Sequence, residues 1–351
     1  MLNGASPPAK PELPRLAIYW ASSCGGCEVT VLNIADRLLT LSRTFQLVFC
    51  PCLADFKLAD LEGYADGSID LCLFNGGIRS TENEAMARLL RRKSRFLVAF
   101  GSCAHEGCVP GLSNLGTAVG ALREIYGGAT AENPSGMLPR ALSAVPEGEL
   151  ALPALCDTLR TLDQVVAVDY SIPGCPPEPP RVWEALELFI EFFLGRRALP
   201  EPGTVLGAGS AAVCEECPRT KPSGRVARFR RRHEVTPDAT TCLLDQGLLC
   251  LGVATRQGCG ALCPRVNMGC EGCYGAPEGV EDVGARMVAV VAAMTEAGAL
   301  PAGDARLREE VAAAMDAILD PAGTFYRFSL AHSILRRARV RAPGGGGGEP
   351  A

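Results

Sequence analysis

Leu16-Ala17-Ile18-Tyr19-Trp20-Ala21-Ser22-Ser23-Cys24-Gly25-Gly26-Cys27-Glu28 decides how this chain folds. Leu16–Trp20 is a short apolar run of buried-strand length, and helical spacing of apolar residues follows over Glu28–Leu41. The same alternation recurs downstream. Phe45–Cys50, Ile69–Phe74, Arg95–Phe100 and Val165–Asp169 read as strands, while Thr81–Lys93 and Pro180–Leu194 carry helical spacing. Strands alternating with helices predict an α/β fold built on a parallel sheet covered on both faces. Ligands of such sheets gather beyond the carboxyl ends of the strands.

Cysteines stand at those ends. Cys24 and Cys27 follow the first strand, Cys103 follows the fourth within Gly101-Ser102-Cys103-Ala104, and Cys175 follows the fifth within Pro173-Gly174-Cys175-Pro176-Pro177. Although 75 and 71 positions separate Cys27, Cys103 and Cys175 in turn, the sheet would bring them to one edge. Glycines at 25, 26, 101 and 174 let the backbone approach a bulky inorganic cluster and aim N–H groups at its sulfides. A four-thiolate site is the inference. The competing reading makes Cys103 and Cys175 ordinary core thiols.

Eight further cysteines fall into two runs, Cys214-x2-Cys217-x24-Cys242-x7-Cys250 and Cys259-x3-Cys263-x6-Cys270-x2-Cys273. Each supplies the four thiolates of one 4Fe-4S cluster. No histidine lies at zinc-finger spacing, and the Cys217-Pro218 and Cys263-Pro264 pairs resemble bacterial ferredoxin runs. Two structural zinc sites would use the same count of thiols, so a zinc-stapled interaction module stays open on spacing alone.

Composition narrows the setting. The 351 residues, 48% of them hydrophobic, suffice for about two domains. Seventeen cysteines suggest disulfides, but Met1–Leu16 has no basic stretch leading into an apolar one and no twin arginine. The thiols therefore read as reduced ligands in the cytoplasm. No apolar run reaches the roughly 18 residues of a membrane helix, so direct membrane insertion is not expected. A net charge of −5 argues against nucleic acid as a partner.

With Cys24-x2-Cys27-Glu28, Gly101-Ser102-Cys103-Ala104, Pro173-Gly174-Cys175-Pro176 and the eight later cysteines in place, the chain resembles the small, electron-transferring subunit of nickel-iron hydrogenases. The likeness is to the cytoplasmic methyl-viologen-reducing (deazaflavin-non-reducing) type that works with heterodisulfide reductase. It spans about residues 15 to 335 and includes Gly77-Ile78-Arg79, Cys242-Leu243-Leu244-Asp245-Gln246-Gly247, Asn267 and Phe325-Tyr326-Arg327-Phe328-Ser329-Leu330. The resemblance implies a flavodoxin-like parallel-sheet domain followed by a loop-rich two-cluster iron-sulfur domain. It implies a proximal 4Fe-4S cluster on Cys24, Cys27, Cys103 and Cys175, a medial one on Cys259, Cys263, Cys270 and Cys273, and a distal one on Cys214, Cys217, Cys242 and Cys250. Many respiratory relatives carry His at the first distal position and Pro at the second medial one. Cys214 and Cys263 stand there instead, so three four-iron clusters are expected. Partners implied are a large subunit holding the nickel, whose ligands this chain lacks, and a small iron-sulfur or flavin carrier, with heterodisulfide reductase beyond it. A hydrogenase-like reductase whose large subunit has lost nickel is the alternative.

The resulting division is a flexible arm over 1–14, the sheet domain over 15–197, a linker over 198–212, a two-cluster region with C-terminal helices over 213–340, and a disordered tail over 341–351. Val280–Ala297 and Ala305–Leu319 read as amphipathic helices. Of the remaining cysteines, Cys72 reads as a strand core thiol and Cys156 as one on a helical face. Cys50, Cys52 and Cys108 are placed to approach the proximal cluster. Cys108 matches one of two supernumerary cysteines of oxygen-tolerant membrane-bound hydrogenases, with Gly26 where the other would be. Glu28 is a helix-start charge or a proton relay at the large-subunit interface. His105 and His233 read as surface residues or as neighbours of the ligands. Arg225, Arg228, Arg230, Arg231 and Arg232 form a solvated face or a dock for an acidic partner.

Overall fold

Nine strands are present in the structure, a computed structural model that describes residues 13–128, 131–222, 224–316 and 318–336. They are β1 (Arg15–Trp20), β2 (Gln46–Phe49), β3 (Ile69–Asn75), β4 (Ile78–Ser80), β5 (Ser94–Phe100), β6 (Leu142–Val145), β7 (Gly148–Ala151), β8 (Leu155–Arg160) and β9 (Tyr170–Ile172). Five of them form one sheet in the order β2-β1-β3-β5-β9, with every pairing parallel. That order is the flavodoxin-like one, whose switch point lies between β1 and β3. The tail read over 341–351, and all of the arm read over 1–14 except its last two residues, lie outside the described residues.

The sheet is parallel because both of its faces are covered. Leu71 and Leu73 of β3 and Val98 and Phe100 of β5 pack on Val182, Leu186 and Phe189 of the helix Pro179–Phe193. Cys72, Phe74, Leu97 and Ala99, pointing the other way, meet Met86, Ala87 and Leu90 of the helix Thr81–Lys93. The latter helix is bounded by chemistry visible in its sequence. Ser80 caps it by accepting from the Asn83 N–H at 3.2 Å, and Arg91, Arg92 and Lys93 close its last turn.

Some elements differ from expectation. The helix read over Glu28–Leu41 is two helices, Gly26–Leu32 and Arg37–Thr44, parted where Ala35 takes a φ of 58°. The last sheet strand begins at Tyr170, not Val165. Val165 and Val166 pack against the core from a turn closed on the Leu162 carbonyl. Cys156 lies on β8, which pairs antiparallel with β4, and not on a helix.

From Val205 onward the chain leaves the sheet edge. Leu206 donates to the Ser171 carbonyl at 2.7 Å, and short turns follow until the helix Val283–Met294. These loops have their own core, including Val213, Phe229, Leu244, Leu251, Met287 and Phe325. Arg219, only 4% exposed, staples them. Its guanidinium donates to the carbonyls of Pro264 at 2.9 Å and of Asp238 and Thr241 at 2.8 Å, and also to Asn267 Oδ1. Among the described residues no helix is long and apolar enough to cross a membrane.

Candidate metal centres

Three strand ends carry the first set of thiols. Cys24 and Cys27 lie on the turn and first helical residues after β1, Cys103 on the one-turn helix Ser102–His105 after β5, and Cys175 on the loop after β9. Backbone bonds clamp the last two loops together: Gly101 N–H donates to Ile172 O, and Ser102 N–H to Gly174 O, each at 2.8 Å. Gly101 has a φ of 79°, and a Cβ placed there would stand 2.3 Å from Cys27 Sγ. Only glycine permits that approach.

Burial pushes the Cys27 thiol well up, with Glu28, Cys175, Cys24 and Cys108 adding to the effect in that order. Cys108, itself buried, is a fifth thiol of this group, its Sγ 3.4 Å from that of Cys175. Glu28 is held at the edge of the set by Asn75, whose Nδ2 donates to its two carboxylate oxygens at 2.9 and 2.7 Å. Asn75 is fully buried at the end of β3, an orienting group that sequence reading missed.

The other two sets belong to the loops. Burial raises Cys214 to about 12, and Cys250, Cys242 and Cys217 all lie near enough to push in the same direction. Cys273 is likewise raised by burial, then by Cys259, Cys263 and Cys175. Cys270 sits between the two sets, and its N–H donates to Cys250 Sγ at 3.2 Å. Cys24 and Cys175 thus lie near Cys27, Cys217, Cys242 and Cys250 near Cys214, and Cys259 and Cys263 near Cys273.

Specific contacts line these neighbourhoods up. Ser102 Oγ accepts from Gly174 N–H at 3.1 Å and donates to the Cys273 carbonyl, tying the first set to the Cys259–Cys273 loop. Arg181 Nε donates to the Gly258 carbonyl at 2.6 Å, and Tyr274 OH donates to Glu178. On the far side, Glu216, between Cys214 and Cys217, accepts from the N–H groups of Gly258 at 3.1 Å and Ala261 at 3.2 Å. The Cys259–Cys273 loop therefore lies between the other two sets.

The donors suit iron and sulfide. Every candidate ligand is a thiol, and nearly all those with a resolved shift are raised first by burial, so the thiolate form needs a cationic centre to hold it. Backbone N–H groups of Leu244 and Asp245 point at Cys242, of Ala261 and Leu262 at Cys259, and of Gly272 at Cys270. Such bonds tune cluster sulfurs. Among the described residues no group of three or more His, Cys, Asp or Glu side chains is drawn together as the ligands of a single ion would be.

Sequence reading missed Ser102, Arg181, Glu216 and Tyr274, though an acid inside Cys214-Glu215-Glu216-Cys217 was a signal. It also missed His332. His105 and His332 face the buried Glu106, at 3.4 and 3.8 Å, and His332 reaches Asp163 at 3.2 Å. His233 is exposed.

Residues 24–189 match the family model of the NADH ubiquinone oxidoreductase 20 Kd subunit. The iron-sulfur subunit of an F420-non-reducing hydrogenase from Archaeoglobus profundus is 37% identical over 284 residues, which is 79% of this chain and 87% of that one. The matching subunit of the vhu F420-non-reducing hydrogenase from Methanocaldococcus jannaschii is 34% identical over 90% of this chain and 94% of its own length. Among solved structures, a chain of an NAD+-reducing [NiFe]-hydrogenase in the H2-reduced state aligns at 29% identity and a TM-score of 0.45, over 54% of this chain and 96% of that one. On the extent of the two sequence matches, the chain belongs to the family of iron-sulfur subunits of the F420-non-reducing hydrogenases.

Proposed function

We propose that this subunit relays electrons from dihydrogen oxidation in a nickel-bearing large subunit, through three 4Fe-4S clusters, to a cytoplasmic carrier. Cys24, Cys27, Cys103 and Cys175 would hold the proximal cluster, Cys259, Cys263, Cys270 and Cys273 the medial one, and Cys214, Cys217, Cys242 and Cys250 the distal one. When bound, the clusters supply one-electron transfer at potentials within a family range of roughly −700 to +450 mV. The chain's own residues fix position and tune the sulfurs. Ser102 and Arg181 hold the medial loop against the sheet, Glu216 and the Cys270 N–H hold it against the distal loops, and Cys27, Cys103, Cys250 and Cys270 are buried. The observation that carries the reading is this serial arrangement, in which the medial loop touches both neighbours.

The exit would lie at the arginine face. Val226 and Phe229 are buried and pin the segment, while Arg225, Arg228, Arg230, Arg231 and Arg232 remain exposed between the distal ligands Cys217 and Cys242. A distal cluster held by four thiolates carries more negative charge than one with a neutral imidazole, which lowers its potential. A small acidic iron-sulfur or flavin carrier feeding heterodisulfide reductase fits both features.

Anaerobic reconstitution tests the assignment. About twelve irons and twelve sulfides per chain are expected, and in the assembled complex Cys250→Ser should abolish hydrogen-dependent acceptor reduction while hydrogen–deuterium exchange survives. A stable stoichiometry near eight irons, or equal loss of both activities, would refute it.

A further inference from the structure

Two thiols that the electron relay does not use lie side by side next to the proximal set. Cys50 directly follows the edge strand β2, and Cys52 lies two residues later, beyond Pro51. The turn after Cys50, in which Leu53 N–H at 3.0 Å and Ala54 N–H at 3.2 Å both donate to the Cys50 carbonyl, directs the two side chains to the same side. Their sulfurs are 3.5 Å apart. Cys50 is 2% exposed and Cys52 is open to solvent. Both line a cavity of about 260 Å3 together with Trp20, Cys24, Glu28, Val29 and Leu53.

From this geometry we propose that Cys50 and Cys52 form a redox-active dithiol that undergoes thiol–disulfide exchange with a low-molecular-weight aliphatic disulfide. The roles divide by exposure. The Cys52 thiolate attacks one sulfur of the incoming disulfide, a protein–ligand disulfide forms, and one ligand thiolate leaves and takes up a proton. Cys50, losing its own proton, then attacks the Cys52 sulfur and expels the second ligand thiolate. In sum, two protein thiols lose two electrons and two protons, and one small disulfide becomes two small thiols. Closing the pair from 3.5 Å to about 2.05 Å requires rotation about the side-chain bonds of two residues of one turn, not movement of an element. Burial raises the Cys50 thiol, which suits a resolving group that reacts only when a mixed disulfide is already beside it.

The cavity also selects. Its walls are apolar apart from the thiols and Glu28, and no basic side chain lines it, so a neutral or cationic disulfide is favoured over a polyanionic one. The site sets a two-electron couple beside Cys24, on the flank of a one-electron pathway.

The experiment uses the full chain loaded with its clusters and cystamine as the probe, under anaerobic conditions. After acid quenching and alkylation, the tryptic peptide Thr44–Lys57 carries Cys50 and Cys52 and no other cysteine. It should resist alkylation at both positions, weigh about 2 Da less than the dithiol, and return to the doubly alkylated form after reduction, with iron content unchanged. Cys50→Ser should trap a persistent cysteamine adduct on Cys52, and Cys52→Ser should leave Cys50 unmodified. The proposal is overturned by a wild-type peptide that keeps the adduct, by one that is alkylated at both positions, or by loss of iron before the peptide changes mass.

Discussion

Replacing Gly101 by alanine tests whether the proximal site depends on backbone approach. Two costs add at this position. Gly101 has φ 79° and ψ 163°, a region almost confined to glycine, where any other residue costs about 1–3 kcal/mol. The new methyl would also lie 2.3 Å from Cys27 Sγ, and relieving such an overlap in a packed site costs about 1–3 kcal/mol more. The total of about 2–6 kcal/mol is a large share of a typical stability of about 5–15 kcal/mol. Cys27 cannot retreat without leaving the set, so the loss should fall on the cluster. Gly203→Ala separates the terms, because Gly203 has a φ of 90° but nothing within 4 Å of its added Cβ. Iron analysis and anaerobic denaturant titration of both variants should show about four of about twelve irons missing from Gly101→Ala alone, with Gly203→Ala destabilised only by the backbone term. Equal iron and equal midpoints in the two variants would refute the reasoning.

Glu216→Gln keeps the size but weakens the acceptor that holds the Gly258 and Ala261 N–H groups, at a cost of about 1–3 kcal/mol. Cluster signals assigned to both the medial and distal sets should change together, and a change in only one would argue against Glu216 as their tie. Reversing Arg230 and Arg231 to glutamate should slow electron delivery to the native acceptor severalfold and reverse its salt dependence, while hydrogen–deuterium exchange stays constant. The hydrogen bond to Asp163 raises the pKa of His332, with Glu106 adding to the effect and Arg336 opposing it. A raised folded-state pKa stabilises the protein fully below the ordinary histidine value of about 6.5, and that contribution disappears as pH rises through the raised value. The denaturation midpoint should therefore fall across this window in the wild type and flatten in His332→Gln; parallel profiles would sink the assignment.

The parallel sheet was legible because β1, β3 and β5 are apolar runs separated by helical patterns, and a strand buried on both faces needs nothing more from its sequence. The cysteine runs stood out in the sequence because four closely spaced thiols have few uses besides holding a metal. What sequence hid was long-range or irregular. Val165, Val166 and Val168 are apolar for packing from a turn, so their run imitated a strand. Arg37–Thr44 continues the helical periodicity of Gly26–Leu32 although the chain breaks at Ala35, since periodicity reports the buried face and not backbone continuity. Ser102, Arg181 and Glu216 act on backbone groups more than 40 positions away, and such partners leave no local pattern.

The clamps on the Cys259–Cys273 loop also bear on the order of events during biosynthesis. Ser102, Glu178 and Arg181 all come from the sheet half, and the first two grip Cys273 and Tyr274 while the third grips Gly258. The later loops thus have their template in a part of the chain that leaves the ribosome before them. The Cys259–Cys273 loop, the last of the three cysteine-bearing regions to be synthesised, thus closes only after the sheet edge and the segment carrying the arginine face are both complete.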